Sequence, residues 1–312
     1  MDKRVMTLPF VIRWLIVNLF IAPFRPHAIA GKYASIWEED GFPLITHGQR
    51  LAEQVSQRLG DDVMVQLAMR YGTPGISQSL ERFRMAGIGR LLVVPLFPQY
   101  ASATSGSIVE RVIEDIKTWR AMPELMMISS FYDHPRFIDA WVSQASSRVS
   151  ERTEHLLFSF HGLPESHIRE ADPTGAHCLE SEECCQTIGW KNRSCYRAQC
   201  YATAHAIARA FKLDPRQYSI SFQSRLGRAK WLEPYTIDHV KVLAQSGIKR
   251  LTVCCPSFVA DCLETTEEIE VEVQAAFRSS GGEALDLIPS LNSSQSWVEA
   301  LSDMVREKLP QS

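Results

Sequence analysis

The chain has 312 residues, of which 45% are hydrophobic and 22% charged, with a formal net charge of −3. That length can bury a large core and commonly divides into two domains of about 150 residues, while the globular balance excludes disordered and fibrous classes. With this charge and no basic stripe there is no electrostatic footprint for DNA or RNA, so no nucleic-acid partner is expected and a small-molecule substrate is.

Residues 1–32, MDKRVMTLPFVIRWLIVNLFIAPFRPHAIAGK, imitate a secretory leader, with early basic residues, an apolar stretch and a small-residue ending. Arg13 and Asn18 interrupt the apolar part, and Pro23, Arg25 and Pro26 follow it. It is thereby too short and too polar to cross about 30 Å of hydrocarbon. Trp14, Leu15, Leu19, Phe20, Ile21 and Phe24 instead make a broad apolar face flanked by Arg13 and Arg25. The reading adopted is a helix on a membrane surface or at the lip of a greasy pocket, with a core helix or a leader as alternatives.

Further along, strand-like apolar runs occupy 63–69, 91–97, 125–131, 156–161, 218–222, 251–256 and 284–289, separated by helix-period segments such as SQSLERFRMAG and PYTIDHVKVLAQSG. Such alternation predicts parallel sheets with helices on both faces. GIGRLLVVP (87–95) and GIKRLTVCCP (247–256) echo each other, a glycine ending a helix just before a strand that stops at proline. Two similar α/β halves follow, meeting near residue 150, with a ligand cleft at the carboxyl ends of their strands.

The chemistry-bearing segments sit at those strand ends. FPQYASATSGS (97–107) offers Tyr100 and a hydroxyl-rich run containing Thr104 and Ser105, suited to an anionic group, although any polar turn looks similar. FSFHGLPESHIRE (158–170) ends a strand at His161, whose imidazole suits proton transfer near neutrality; a hydrogen-bonded structural histidine is the plainer alternative. His167 reads as a surface residue. ISFQSRLGRAKWLEPYT (220–236) carries Trp231, whose indole suits either loop packing or a planar apolar ligand. PSFVADCLETTEEIEVEV (256–273) repeats Glu264, Glu268 and Glu272 every four residues, one carboxylate ridge on an α-helix. A solvated face is the usual explanation for such a ridge, but its start beside the cleft favours a path for a cation or for protons.

Five of the eight cysteines crowd CLESEECCQTIGWKNRSCYRAQC (178–200); Cys254, Cys255 and Cys262 lie in or beside an apolar run, as buried reduced thiols do. So few cysteines do not make a disulfide-held miniprotein, and five is an odd number for pairing. Four thiolates suit a [2Fe–2S] cluster or structural zinc, although zinc favours a closely spaced pair, which only Cys195 and Cys200 supply. Neighbouring side chains are expected to diverge, so Cys178, Cys185, Cys195 and Cys200 are the expected ligands, with Cys184 as the alternate.

Taken together these segments resemble the ferrochelatase family, enzymes that insert ferrous iron into a porphyrin. PFRP…YASIW, LVVPLFPQYASATSGS, FSFHGLP, FQSRLGRAKWLEPYT and CPSFVADCLETTEEI occur in the family's order over nearly the whole chain. The resemblance implies an α/β fold of two Rossmann-like halves, each a parallel sheet flanked by helices, with a porphyrin cleft between them. Residues 1–150 would form one half, bearing the lip helix but starting where the family's opening strand and loop end. Residues 151–312 would form the other, with the cysteine-rich insertion at 176–200.

By the same resemblance His161 matches the active-site histidine, a metal ligand or pyrrole proton acceptor, with Glu264 its partner in catalysis and metal binding. Glu268 and Glu272 continue a proton or metal path. Arg25, Tyr33, Tyr100, Thr104, Ser105, Gln223, Ser224 and Trp231 fall at porphyrin-binding positions of the cleft and lip. Cys262 stands where many members carry another histidine. Some bacterial members hold a [2Fe–2S] cluster on an internal cysteine segment of this kind. The implied activity is that of a lyase making protohaem from Fe(II) and protoporphyrin IX, the last step of haem biosynthesis. The expected setting is cytoplasmic, peripheral to a membrane surface, and a homodimer is compatible with it. A chelatase for coproporphyrin or another metal, or a porphyrin-binding iron–sulfur sensor, are the alternatives.

Overall fold

The computed structural model describes residues 30–149 and 153–309. The apolar helix expected around residues 14–24, Arg25, and the half-domain boundary near 150 lie outside the described residues.

Helix α1 (Pro43–Leu59) begins with proline in its first turn, buries Leu51 and Val55 one turn apart, and stops at Gly60, whose φ is 87°. Helix α2 (Ile76–Met85) leads into β1 (Arg90–Val93), and a wide turn at 102–106 opens α3 (Ser107–Ile116), followed by β2 (Glu124–Met127) and α4 (Pro135–Ala145). β1 and β2 pair in parallel, Leu91 opposite Leu125. The second half runs β3 (His155–His161), α5 (Glu165–Glu170), α6 (Tyr196–Ala210), β4 (Tyr218–Gln223), α7 (Thr236–Gln245) and β5 (Arg250–Cys254). A wide-turned π-helix (Leu263–Val273), α8 (Gln274–Ser279), β6 (Ala284–Leu287) and α9 (Gln295–Lys308) complete it.

These later strands form one parallel sheet in the order β4-β3-β5-β6. β3 is central and all but its last residue are buried, which is why its sequence is a continuous apolar run rather than an alternating one. From β3 the chain crosses to β4 on one side, and from β5 to β6 on the other. The crevice where those connections part, at the carboxyl ends of β3 and β5, is where ligands bind in open α/β sheets. Helix α9 packs back on α1 and α4. Trp297 of α9 sits 5.9 Å from Phe137 and 5.7 Å from Phe131, centroid to centroid, an aromatic knot sealed from solvent.

The echo between the halves is structural. Gly87 after α2 and Gly247 after α7 both take positive φ, 66° and 103°. Both helices also close with the same pair of bonds, Ile88 N–H to Phe83 O and Ile248 N–H to Leu243 O beside the glycine bonds. That is the left-handed helix stop glycine provides.

One expected strand is absent. Residues 63–69 form no ladder, and their only pairing among the described residues is the bridge from Met69 to Gly75. Val65, Leu67 and Met69 face the same cavity as Leu91 and Val93 of β1. An apolar, β-prone run without an adjoining ladder cannot register as a strand.

At the opposite end of the large sheet, Ser219 Oγ lies 2.8 Å from His155 Nε2 and 2.9 Å from His239 Nε2. One hydroxyl has one proton, so when it donates to one ring and accepts from the other, the accepting ring must be neutral. Burial, then the neighbouring His239, holds His155 down to about 4, and burial lowers His239 too. The unfolded chain would bind a proton near pH 6.5 that the fold refuses, so stability rises with pH between about 4 and 6.5 and the loss levels off below the folded value. Urea unfolding at pH 7 and pH 4.5 should show wild type losing about 2 kcal/mol more than His155→Asn. An equal loss in both proteins would contradict the assignment.

Candidate active site

His161 is the last residue of β3 and is half-buried at the crevice. Its Nδ1 is 2.6 Å from the carbonyl oxygen of Gly162. A carbonyl can only accept, so Nδ1 carries a proton, and in the neutral ring Nε2 is the nitrogen with the lone pair. The His161 N–H donates to Ser257 Oγ at 3.2 Å, and its carbonyl accepts from the Tyr196 hydroxyl at 2.8 Å. Trp231 and Phe258 flank the ring at 6.4 and 6.2 Å. Gly162 is required by crowding: a Cβ there would stand 2.8 Å from the Gln223 carbonyl oxygen and 3.2 Å from the Trp231 ring.

A cavity of about 1810 Å³ opens in front of His161. Its lining includes Tyr33, Thr104, Trp231, Phe258, Cys262 and Glu264. The imidazole and the inner carboxylate thus share one mostly apolar chamber. Among the described residues the buried indole N–H of Trp231 finds no hydrogen-bond partner. Tyr33 packs on Phe42 and remains 43% exposed at the rim. His167, expected at the surface, also lines the chamber.

The carboxylate ridge is not an α-helical row. The π-helix closes bonds five residues apart, so a four-residue repeat still advances by nearly one turn and keeps to one side, and along that side the three glutamates meet three environments. Glu264 faces the cavity. Glu268 accepts from the Ser224 N–H at 2.7 Å, from the Ser224 hydroxyl, and from Gln223 Nε2 at 3.2 Å. Glu272, at the exposed end, pairs with Lys32, which also bonds Glu267 at 3.0 Å. The ammonium of Lys32 is raised by those two carboxylates, Glu272 first.

Several expected cleft residues are turned to other work. Gln223, paired with His161 in the sheet and 3% exposed, donates to the Glu264 carbonyl at 2.6 Å and accepts from Ser159 at 2.7 Å. Ser224 takes a positive φ of 64° and spends its N–H and hydroxyl on Glu268. Ser105 is fully buried with an unpartnered hydroxyl, whereas Thr104 reaches the cavity. The Tyr100 N–H donates to Gln199 Oε1 at 2.7 Å. Tyr196 and Gln199, which hold His161 and Tyr100, carry no motif in the sequence and were not expected there.

The cysteine-rich insertion folds as a hydrogen-bonded loop. The Asp172 carboxylate accepts the N–H groups of Thr174, His177 and Cys178, each at 2.8 Å, which holds it well below the usual carboxylate range. Asn192, 3% exposed, donates to the carbonyls of Cys184 and Thr187. All five cysteines are buried and free. Cys184 and Cys185, expected to diverge, bring their sulfurs to 3.8 Å. The neighbouring Cys185 thiol, then backbone N–H groups at the start of α6 and the Cys178 thiol, draw Cys195 down to about 6 against burial. Cys178 is pushed up to about 12 by burial and by Cys195. Arg197 Nη1 stands 3.4 Å from the Cys185 sulfur and 3.7 Å from that of Cys184, its guanidinium stacked 4.8 Å over the Tyr201 ring. Cys200 is fully buried one turn into α6, its thiol against the Tyr196 hydroxyl. Among the described residues no group of three or more His, Cys, Asp or Glu is arranged to hold a metal ion.

Comparison with known proteins agrees in sequence and in fold. A family model described as ferrochelatase matches residues 1–309. The ferrochelatase of Coxiella burnetii (strain CbuK_Q154) is 42% identical over 309 residues, covering 99% of this chain and 86% of that protein. The ferrochelatase of Stutzerimonas stutzeri (strain A1501) is 43% identical over 302 residues, covering 96% and 88%. Among solved structures, SirB from Bacillus subtilis with Fe3+ superimposes with a TM-score of 0.55 at 13% identity, covering 85% of this chain and 90% of that one. At that identity the likeness is one of fold.

Proposed function

This chain belongs to the ferrochelatase family, and on that premise we propose that it inserts Fe(II) into protoporphyrin IX to give protohaem, with His161 as the proton acceptor. The observation that carries the reading is the fixed ring of His161: Nδ1–H is spent on Gly162, so Nε2 is the nitrogen available to the chamber it shares with Glu264. Metal insertion exchanges two pyrrole protons for one dication. A base must therefore stand over the ring plane, and an anion must partner the arriving metal. His161 supplies the first and Glu264 the second.

The other residues prepare the exchange. Trp231, Phe258 and the apolar walls desolvate the macrocycle and exclude water, which strengthens each charge interaction inside. Gln223 and Ser224 fix Glu268 one step outward. Glu272 with Lys32 forms the solvent end of the row. Thr104 is a polar contact for the ligand's edge. Tyr33, Tyr71, Phe97 and Leu226 line the chamber yet stay 43%, 61%, 39% and 61% exposed. Such an apolar rim supports contact with a membrane surface, from which a greasy substrate could pass directly. No helix among the described residues is long and apolar enough to cross a membrane.

Cys178, Cys184, Cys185 and Cys195 are not arranged as a metal site among the described residues, but they are the thiols that would hold a [2Fe–2S] cluster in the insertion. The Cys184 and Cys185 sulfurs lie 3.8 Å apart, close enough that both would serve as thiolate ligands. Cys195 is the readiest thiolate, and Arg197 offers positive charge to the sulfurs. Cys200, engaged with Tyr196, stands aside. When bound, the cluster would supply a cross-link and a one-electron centre; Fe(II) insertion itself transfers no electron.

Anaerobic assays should show wild type inserting Fe(II) into protoporphyrin and His161→Ala losing at least about a hundredfold in kcat with porphyrin still bound. Full activity in His161→Ala would overturn the assignment. Faster turnover of coproporphyrin would move it to that substrate, and porphyrin binding without insertion would mark a sensor. Freshly purified wild type and Cys200→Ala should show the same visible absorption of a [2Fe–2S] protein, and Cys184→Ser should lack it. Colourless wild type containing zinc would refute the cluster.

A further inference from the structure

We propose that Tyr196 and Gln199, on the helix that grows out of the cysteine-rich insertion, are positioning residues holding the two walls of the cleft separately, Tyr196 the base and Gln199 the porphyrin-facing loop. Cys195 caps the start of α6, and Tyr196 follows it directly. The Tyr196 hydroxyl donates to the His161 carbonyl at 2.8 Å, fixing the strand end from which the imidazole projects. One turn on, Gln199 is 1% exposed. Its Oε1 accepts the Tyr100 N–H at 2.7 Å, and its Nε2 donates to the Arg193 carbonyl at 2.7 Å. One turn further, Thr203 accepts from Gln99 Nε2 at 2.9 Å and donates to the Tyr132 carbonyl at 2.7 Å.

Positions 196, 199 and 203 fall on one face of an α-helix, and an amphipathic helix packed for stability alone would make that face apolar. Here each buried polar group is matched to a cleft element. Tyr196 reaches the end of β3; Gln199 and Thr203 reach the 97–107 loop that opens α3. Breaking such a bond leaves a buried partner unsatisfied. The cost should fall on different steps, since one bond aims the base and the others hold the wall against which the macrocycle lies.

This inference rests on the reading of His161 as base and of the 97–107 loop as porphyrin wall. Its test is steady-state Fe(II) insertion by the full chain under anaerobic conditions, with porphyrin varied. Tyr196→Phe, which removes one oxygen and keeps the ring, should lower kcat about tenfold with the porphyrin KM within about twofold of wild type. Gln199→Leu should raise the porphyrin KM about tenfold with kcat little changed. Gln199→Glu, whose protonated carboxyl can reproduce both bonds, should return KM to within about threefold of wild type. If Gln199→Leu fails to fold, Thr203→Val, which cuts the other tether to the same loop, takes its place under the same KM criterion. Wild-type kcat in Tyr196→Phe, wild-type KM in the loop variants, or a lower Tm with unchanged constants per folded molecule would each overturn the proposal. A fully active His161→Ala would instead overturn the reading beneath it, so the two failures are distinct.

Discussion

The account depends on one short hydrogen bond, from the His161 imidazole to the carbonyl of the next residue. A histidine at a strand end can rotate and exchange tautomers; this one cannot do so without abandoning a 2.6 Å contact. The bond is available because Gly162 has no side chain, so the chain can turn tightly against Gln223 and Trp231. Residue choice at one position thereby fixes which nitrogen is basic at the neighbouring one. The crevice between the β3 and β5 connections does the rest, since it brings the imidazole to the chamber that Glu264 lines.

Around that base the wide-turned helix carries its carboxylates along one side, through three environments. Glu264 meets the chamber, Glu268 is clamped by the Ser224 N–H and hydroxyl, and Glu272 is neutralised by Lys32 at the rim. The arrangement runs from a solvent-exposed, screened ion pair of low worth to a partly buried anion inside. A dication moving inward would meet progressively less competition from water. Gln223 joins this row to the sheet by donating to the Glu264 carbonyl from the position paired with His161, so base and acid row share one rigid support.

Much of this was legible in the sequence. The runs at 156–161 and 218–222 became β3 and β4, and the glycine echo marked two equivalent helix stops, because continuous apolarity and positive φ are local requirements that residue types declare. The run at 63–69 misled because β propensity says nothing about whether a hydrogen-bonding neighbour is present. The Glu264, Glu268 and Glu272 repeat was visible, but not the π-helix that carries it or the neighbours that separate their roles, since an i+4 pattern looks the same on either helix. Divergence of Cys184 and Cys185 was a fair rule for regular strands and fails in the short turn at Glu182–Cys185. Tyr196 and Gln199 were illegible because a tyrosine and a glutamine on a helix have no motif; only long-range contacts single them out.

The tautomer of His161 tests the central claim most directly. Imidazole 15N NMR of the porphyrin-free protein at neutral pH, assigned by comparison with His161→Gln, should show Nδ1 protonated and Nε2 as the unprotonated, pyridine-like nitrogen. A proton on Nε2 with Nδ1 bare would contradict the account, because the nitrogen facing the chamber would then be a donor and could not receive a pyrrole proton.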